Sequence, residues 1–237
     1  MSRDHNIYQD NTETYDLLIS KQPNLAKVIH KIRPYAHLDV VDLGAGTGRL
    51  SMFLVEEAHS LWCLDSSKAM LRVLEKKLTT LSSKPNWRTI VSDHRALPIE
   101  DASKDLVVAG WSLCYLASSN NVDWENNLKQ MMSEIRRILK PGGTVIILET
   151  LGTGFAKPTR YDYLAPYYQL LETEYGFEHT SLATDYKFKD VNEAVQLTSY
   201  FFGEDFGKQV RANNWHVVPE YAGIWYKHFN SQHQKLS

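Results

Sequence analysis

The chain has 237 residues, 43% hydrophobic and 23% charged, with 26 basic against 28 acidic side chains and a formal net charge of -2. This composition excludes a disordered or fibrous chain, and a balanced charge without a dense Lys/Arg block argues against nucleic acid as a partner. The length suits one large core, so a single domain with insertions is expected.

The first residues, MSRDHNIYQDN, lack a hydrophobic signal core, and the longest apolar stretch, around Val107 to Ala117, is too short to span a bilayer. A cytoplasmic protein without a membrane partner is the expectation. Tyr15, Leu17, Leu18, Leu25, Val28, Ile29 and Ile32, interrupted by Pro23, read as two helices that form an N-terminal cap over residues 1–38. Tyr8 and Tyr15 on this cap are candidates for folding over a bound molecule.

From Val40 onward, short apolar runs alternate with segments of helical period, the pattern of a parallel sheet covered on both faces. Strands are expected at 39–43, 60–64, 87–92, 105–111 and 144–149. Leu71, Leu74, Leu78 and Leu81 repeat at spacings of three and four, as do Leu128, Met131, Met132, Ile135, Ile138 and Leu139, so each set marks a helix face against the sheet. The second helix runs into Lys140-Pro141-Gly142-Gly143, which predicts a sharp helix-to-strand turn.

Past residue 150 the pattern changes to an aromatic insertion with Phe155, Tyr161, Tyr163, Tyr167, Tyr168, Tyr175 and Phe177. Asp190 with Glu193 three positions later predicts a capping box, and Gly203 a helix end. A last strand is expected near 222–229, after Pro219.

The chemistry concentrates where strands end. In VVDLGAGTG a buried strand runs into Gly44, Gly46 and Gly48, which let the backbone pass close to a ligand before a helix begins. Dinucleotide sites use a related GxGxxG loop to hold pyrophosphate, but here the spacing is GxGxG. Asp42, two residues before the first glycine, would repel a pyrophosphate; it suits loop organisation and a cationic ligand with an amino group. Asp65, about twenty residues on, stands where a carboxylate accepts from ribose hydroxyls. Ser92-Asp93-His94 ends the third strand, where Asp93 suits an exocyclic amine, and the fourth strand ends in Gly110-Trp111.

Together VDLGAGTG, the acidic end of strand two, SDHRALPI, DLVVAGWSLCYL and the LKPGG turn resemble the class I S-adenosylmethionine-dependent methyltransferases over about residues 35–150. The resemblance implies an α/β Rossmann-like three-layer sandwich with a mostly parallel seven-stranded sheet, an antiparallel last strand, a helical N-terminal cap and an insertion after strand five. It divides the single domain into a cap (1–38), a cofactor-binding core (39–150), an acceptor-side insertion (151–183) and a sheet-completing segment (184–237), with strands six and seven at 184–189 and 222–229. It implies S-adenosyl-L-methionine as cofactor and S-adenosyl-L-homocysteine as product. Asp42, Gly44, Ala45 and Gly46 would form the methionine loop, Asp65 and Ser66 would meet the ribose, Asp93 and His94 the adenine, and Gly110 and Trp111 the methionine group.

A small-molecule acceptor follows from the short aromatic insertion and the near-neutral charge, with Tyr8, Tyr15, Tyr115, Tyr161, Tyr163 and Tyr168 as candidate contacts. His94 and His179 are candidate bases. Methyl transfer from a sulfonium is an in-line displacement, so a base is needed only if the acceptor must lose a proton. The histidines lack paired ligand spacing, so no metal is expected. Cys63 and Cys114 read as buried thiols in or at the end of strands, too few for a metalloid methyltransferase. A non-catalytic binder of the same cofactor and a nicotinamide-dependent oxidoreductase are the competing functions, and the choice between monomer and homodimer is not determined by the sequence.

Overall fold

The computed structural model describes residues 12–81 and 86–230. Five parallel strands come first: β1 (Asp39–Leu43), β2 (Ser60–Asp65), β3 (Trp87–Val91), β4 (Lys104–Gly110) and β5 (Leu139–Thr153). Runs such as Leu106, Val107, Val108 and Ala109 are wholly buried, as strands covered on both faces require. The sheet is completed by β6 (Glu178–Ala183) and β9 (Glu220–His228), in the order β3-β2-β1-β4-β5-β9-β6. β9 is antiparallel to both neighbours, pairing Leu148 with Ile224 and Ile224 with Thr180. Chain order reverses between β1 and β4, and such a switch point opens a crevice at the strands' carboxyl ends.

Two helical layers cover the sheet. On one face, α2 (Ala26–Ile32), α3 (Ser51–Glu57) and α4 (Lys68–Leu81) pack Ile29, Leu54, Leu71, Leu74 and Leu78 against Val40, Val108 and Ile146. On the other, α6 (Trp124–Ile138) and α7 (Ala165–Thr173) pack Leu128, Met131, Ile135 and Tyr167 against Val41, Val107 and Ile147. Both predicted leucine and methionine stripes therefore face the core, except Leu81, which is 44% exposed at the end of α4.

Two expectations need correction. The 184–189 segment does not form strand six. That place belongs to β6, six residues earlier, while β7 (Tyr186–Lys187) pairs with β8 (Val217–Val218) in a separate ribbon. Alternating polar and small residues in Glu178–Ala183 gave little hydrophobic signal because this strand is an edge, with one partner and mostly exposed side chains. Nor does the KPGG stretch form a simple turn. Leu139 already pairs with Lys104, and residues 140–143 swell out as an irregularity before Thr144 pairs with Leu106. The bulge carries Lys140 Nζ to Asp39 at 2.8 Å and Asp105 at 2.9 Å, so its charge is shared by β1 and β4.

The remaining elements build the cap. A third apolar cluster joins Leu18 of α1 (Thr12–Ile19) to Tyr186, Phe188 and Val218 of the ribbon and to Ala194, Leu197 and Val210 of α8 (Val191–Phe202) and α9 (Glu204–Ala212). The segment assigned by sequence to sheet completion is thus largely roof. Asp190 Oδ1 accepts from Glu193 N at 2.9 Å as predicted, though Glu193 returns its bond to Lys189 N, one residue further back. Lys77 donates to Asp16 and to Thr47 O, and Lys21 to Glu193, tying α1 to α4, the glycine loop and α8. Among the described residues no helix is long and apolar enough to cross a membrane.

Candidate functional site

The glycine loop leaves β1 at Leu43 and is held from below by β2: Gly44 N and Ala45 N both donate to Leu64 O, at 2.7 and 2.9 Å. Gly44 has φ +71°, and a Cβ there would lie 2.1 Å from Ser112 Cβ, so the position demands glycine on two counts. Gly46, at φ +53°, faces nearly open space, with Gly44 O as the nearest atom at 4.0 Å. An open, backbone-lined edge at the switch point is the consequence.

Asp65 at the end of β2 locks this loop. Its Oδ2 accepts from Gly46 N at 2.8 Å and its Oδ1 from Ser67 N at 2.7 Å. Burial raises its pKa while these backbone bonds oppose the rise. Ser66, beside it, is exposed.

Asp42 plays the organising half of its expected role. It is 1% exposed beneath the loop and accepts from Ser51 Oγ at 2.6 Å, so it braces the start of α3 rather than facing the open edge. Ser51 Oγ also lies 3.2 Å from Cys63 Sγ, inside the core.

The end of β3 divides in an unexpected way. Asp93, expected at an adenine amine, is half-exposed and spends its carboxylate on Arg95, with bonds from Nε, Nη2 and the backbone N. That pairing holds its pKa below the usual carboxylate range. His94 turns inward instead: its Nε2 lies 3.5 Å from where a Gly44 Cβ would be, and its Nδ1 is buried without a partner. Burial pushes its pKa down to about 4, so the ring is neutral near pH 7.

Trp111, just past Gly110 of β4, adopts φ +51°, a left-handed conformation that a bulky residue takes only under constraint. Its amide donates to Leu148 O, and Arg49 lays its guanidinium over the indole at 3.2 Å from the ring centre. Arg49 Nε and Nη2 are sealed from solvent without a hydrogen-bond partner. A cation just before a helix N-terminus, as Arg49 stands two residues before Ser51, opposes the macrodipole, and this is the signal that marks it out.

Arg49 and Trp111 form one wall of a cavity of about 410 Å³. Tyr15 from the cap, Tyr115 after β4, and Tyr161 and Tyr163 from the insertion line it. Tyr161 and Tyr163 stack at 5.5 Å, and Tyr15 meets Phe201 of α8 at 5.7 Å. Burial pushes the Tyr15 phenol up to about 12; the charge of Arg49 opposes the rise and that of Asp65 adds to it.

Other predicted residues stand elsewhere. Tyr168 is behind the wall, its hydroxyl on Thr150 O at 2.8 Å, and it does not line the cavity. His179 stacks on Trp225 at 4.6 Å at the β6 edge, also outside the cavity. Tyr8 lies outside the described residues. Cys114 is not in a strand: it opens the four-residue helix α5 (Cys114–Ala117) and lines the cavity. Among the described residues no group of three or more His, Cys, Asp or Glu is arranged to hold a metal ion.

Sequence reasoning missed two acids. Glu149 of β5 is fully buried; its Oε1 accepts from Cys114 N at 3.0 Å and Tyr167 Oη at 3.4 Å, while Oε2 has no partner. Glu220, at the start of β9, lines the cavity. It shares a strand face with Ala222 and Ile224, so its inward direction follows from the two-residue period once the strand is started at 220 rather than 222.

Burial pushes Asp42, Glu149 and Glu220 each up to about 7. A carboxyl whose folded pKa is raised binds its proton more tightly in the fold, so its favourable contribution is complete below the ordinary carboxylate range and is lost as pH rises through about 7. His94, shifted down, acts in the opposite sense, so a variant must be compared with wild type. Glu149→Gln is expected to flatten the fall in stability between about pH 5 and pH 7, by up to about 1.4 kcal/mol per pH unit. Urea unfolding across that window measures it, and an unchanged slope would show that Glu149 does not hold the proton.

Residues 41–147 match a family model described as a methyltransferase domain. A demethylmenaquinone methyltransferase of Lactococcus lactis is 32% identical over 153 residues, 61% of this chain and 57% of that protein. A malonyl-acyl-carrier-protein O-methyltransferase of Marinomonas is 30% identical over 146 residues, 60% of this chain and 49% of the relative. The chain thus spans about half the length of these curated relatives. A solved methyltransferase from Aquifex aeolicus superposes with a TM-score of 0.60 over 93% of this chain and 98% of its own, at 14% identity, which is a likeness of fold.

Proposed function

From the premise that this chain belongs to the class I methyltransferase family, we propose that it moves a methyl group from S-adenosyl-L-methionine to a small-molecule acceptor, releasing S-adenosyl-L-homocysteine. The observation that carries the reading is the open edge over Gly46, with Asp65 anchoring the loop and the buried His94, whose Nδ1 has no partner, beside Gly44. Unpaired buried polar atoms around a backbone cradle fit a ligand that is itself rich in donors and acceptors.

Gly44, Ala45 and Gly46 would hold the methionine portion, Asp65 the ribose, and His94 the adenine edge, with Asp93 excluded by its bond to Arg95 unless that pair opens. When bound, the sulfonium supplies a methyl carbon activated for in-line displacement. Neutral His94 adds no charge that would repel this cation. Trp111, Arg49, Tyr15 and the α8 aromatics Phe201 and Phe202 line the cavity and would shield an acceptor from water. A cavity of about 410 Å³ suits a small acceptor, in keeping with relatives named for demethylmenaquinone and a malonyl carrier. Two free cysteines agree with a cytoplasmic setting.

Titration calorimetry tests the donor. S-adenosylhomocysteine is expected to bind and NAD to give no heat; the reverse would move the chain to the oxidoreductases.

A further inference from the structure

The acceptor end of the cavity contains a carboxylate that donor binding does not use. Glu220 is 2% exposed, its Oε1 accepts from Thr150 Oγ1 at 3.1 Å, and its Oε2 is buried without a partner. β9 stands three strands from β1, roughly 14 Å at ordinary strand spacing, so a group seated on the Gly44–Gly46 loop does not reach this oxygen. Glu220 and Arg49 share the cavity and interact through their charges, yet both keep polar atoms unpaired rather than closing on each other. A gap of this kind between buried opposite charges fits a molecule lying between them.

Building on the methyltransferase reading, we propose that Glu220 is the catalytic base for a hydroxyl-bearing acceptor on a flat apolar frame, of the phenol or enol class, with the O–H directed at Oε2. The flat frame follows from the walls, where Trp111, Tyr161, Tyr163, Phe201 and Phe202 present rings. The hydroxyl follows from charge: Arg49 and a sulfonium donor both disfavour an ammonium group in the same cavity, whereas a neutral hydroxyl enters without charge repulsion and its desolvation is offset by the hydrogen bond to Oε2. In the step, the acceptor O–H bond breaks and its proton ends on Oε2, converting the carboxylate to a carboxylic acid; the electron pair left on oxygen forms the bond to the methyl carbon as the carbon–sulfur bond breaks, its pair departing on sulfur as a neutral thioether.

The surroundings suit this task. Burial raises Glu220 to about 7; hydrogen bonding from the Thr153 and Thr150 side chains and then the charge of Arg49 oppose the rise, while Asp185, whose Oδ1 accepts from Glu220 N, adds to it. Tyr15 of α1 and Tyr186 of β7 complete the titratable groups of the cavity near it. A base poised near the working pH is the efficient choice for proton removal.

The test uses β-naphthol and naphthalene as probes, with S-adenosylhomocysteine saturating, and the labelled methyl donor for turnover. Wild type is expected to bind β-naphthol at least about 10-fold more tightly than naphthalene, as a hydrogen bond to a buried charge provides. Glu220→Gln is expected to lose that preference, to lower transfer to β-naphthol about 100-fold or more, and to remove the rise of rate through pH 7, while S-adenosylhomocysteine affinity stays within about 3-fold. Thr150→Val, which frees Oε1 but leaves the carboxylate, is expected to give an intermediate loss. Wild type that does not distinguish the two probes, or a preference that survives in Glu220→Gln, overturns the proposal. Equal weakening of S-adenosylhomocysteine by Glu220→Gln would also overturn it, by moving the carboxylate to the donor end. Wild type that binds no S-adenosylhomocysteine at all instead rejects the methyltransferase reading on which the proposal rests.

Discussion

Gly44→Ala is expected to destabilise the fold by roughly 2–5 kcal/mol and to abolish measurable binding of S-adenosylhomocysteine. Two penalties act together. A residue with a Cβ at φ +71° pays about 1–2 kcal/mol for left-handed backbone. The new methyl would also sit 2.1 Å from Ser112 Cβ and 2.7 Å from its Oγ, and neither can yield easily, because Ser112 is 8% exposed and its hydroxyl is held on Leu43 O at 2.7 Å. Relief requires β1 and the residues after β4 to part at the switch point. Gly46→Ala separates fold from site: its Cβ meets nothing nearer than 4.0 Å, so only the left-handed cost applies to stability, while the methyl enters the space proposed for the ligand. Urea unfolding and calorimetry on both variants measure this. Equal stability losses at the two positions would show that packing against Ser112 is not what requires glycine at 44.

Asp65→Ala is expected to weaken S-adenosylhomocysteine binding by about 100-fold or more. The carboxylate holds two backbone amides at 2.8 and 2.7 Å, one in the glycine loop and one at the start of α4. Bonds to a charged acceptor contribute about 1.5–3 kcal/mol each, and every 1.4 kcal/mol is tenfold in affinity. Losing both frees Gly46 N–H and removes the group proposed to meet the ribose. Asp65→Asn is expected to behave similarly, because its amide turns donors toward one of two N–H groups. Calorimetric titration decides the matter: affinity within about 3-fold of wild type would mean that Asp65 neither meets the ligand nor holds the loop in a shape that binding requires.

The residues of the loop and of the core were legible in the sequence because their constraints are local. Glycines at 44, 46 and 48, the acid closing β2, and the leucine and methionine stripes of α4 and α6 report backbone geometry and helix period within a few residues of themselves. Strand six was not legible. As an edge strand with one exposed face, Glu178–Ala183 needs no apolar alternation, whereas 184–189 owes its apolar residues to the cap cluster rather than to the sheet. Asp93 and His94 exchanged expected prominence for a similar reason. Which of two adjacent side chains turns inward depends on Arg95, which reaches back to Asp93 and forward to Asn127 of α6.

By itself the sequence determined the fold class and the edge of the sheet at which the glycine loop opens, since a strand, a glycine turn and a following helix are specified by neighbours along the chain. Only the tertiary structure decided what faces that edge. Arg49 over Trp111, the roof built jointly from α1 and α8, and Glu220 with its unpaired oxygen come from segments up to some two hundred residues apart, brought together by packing across the sheet and not by any period within it.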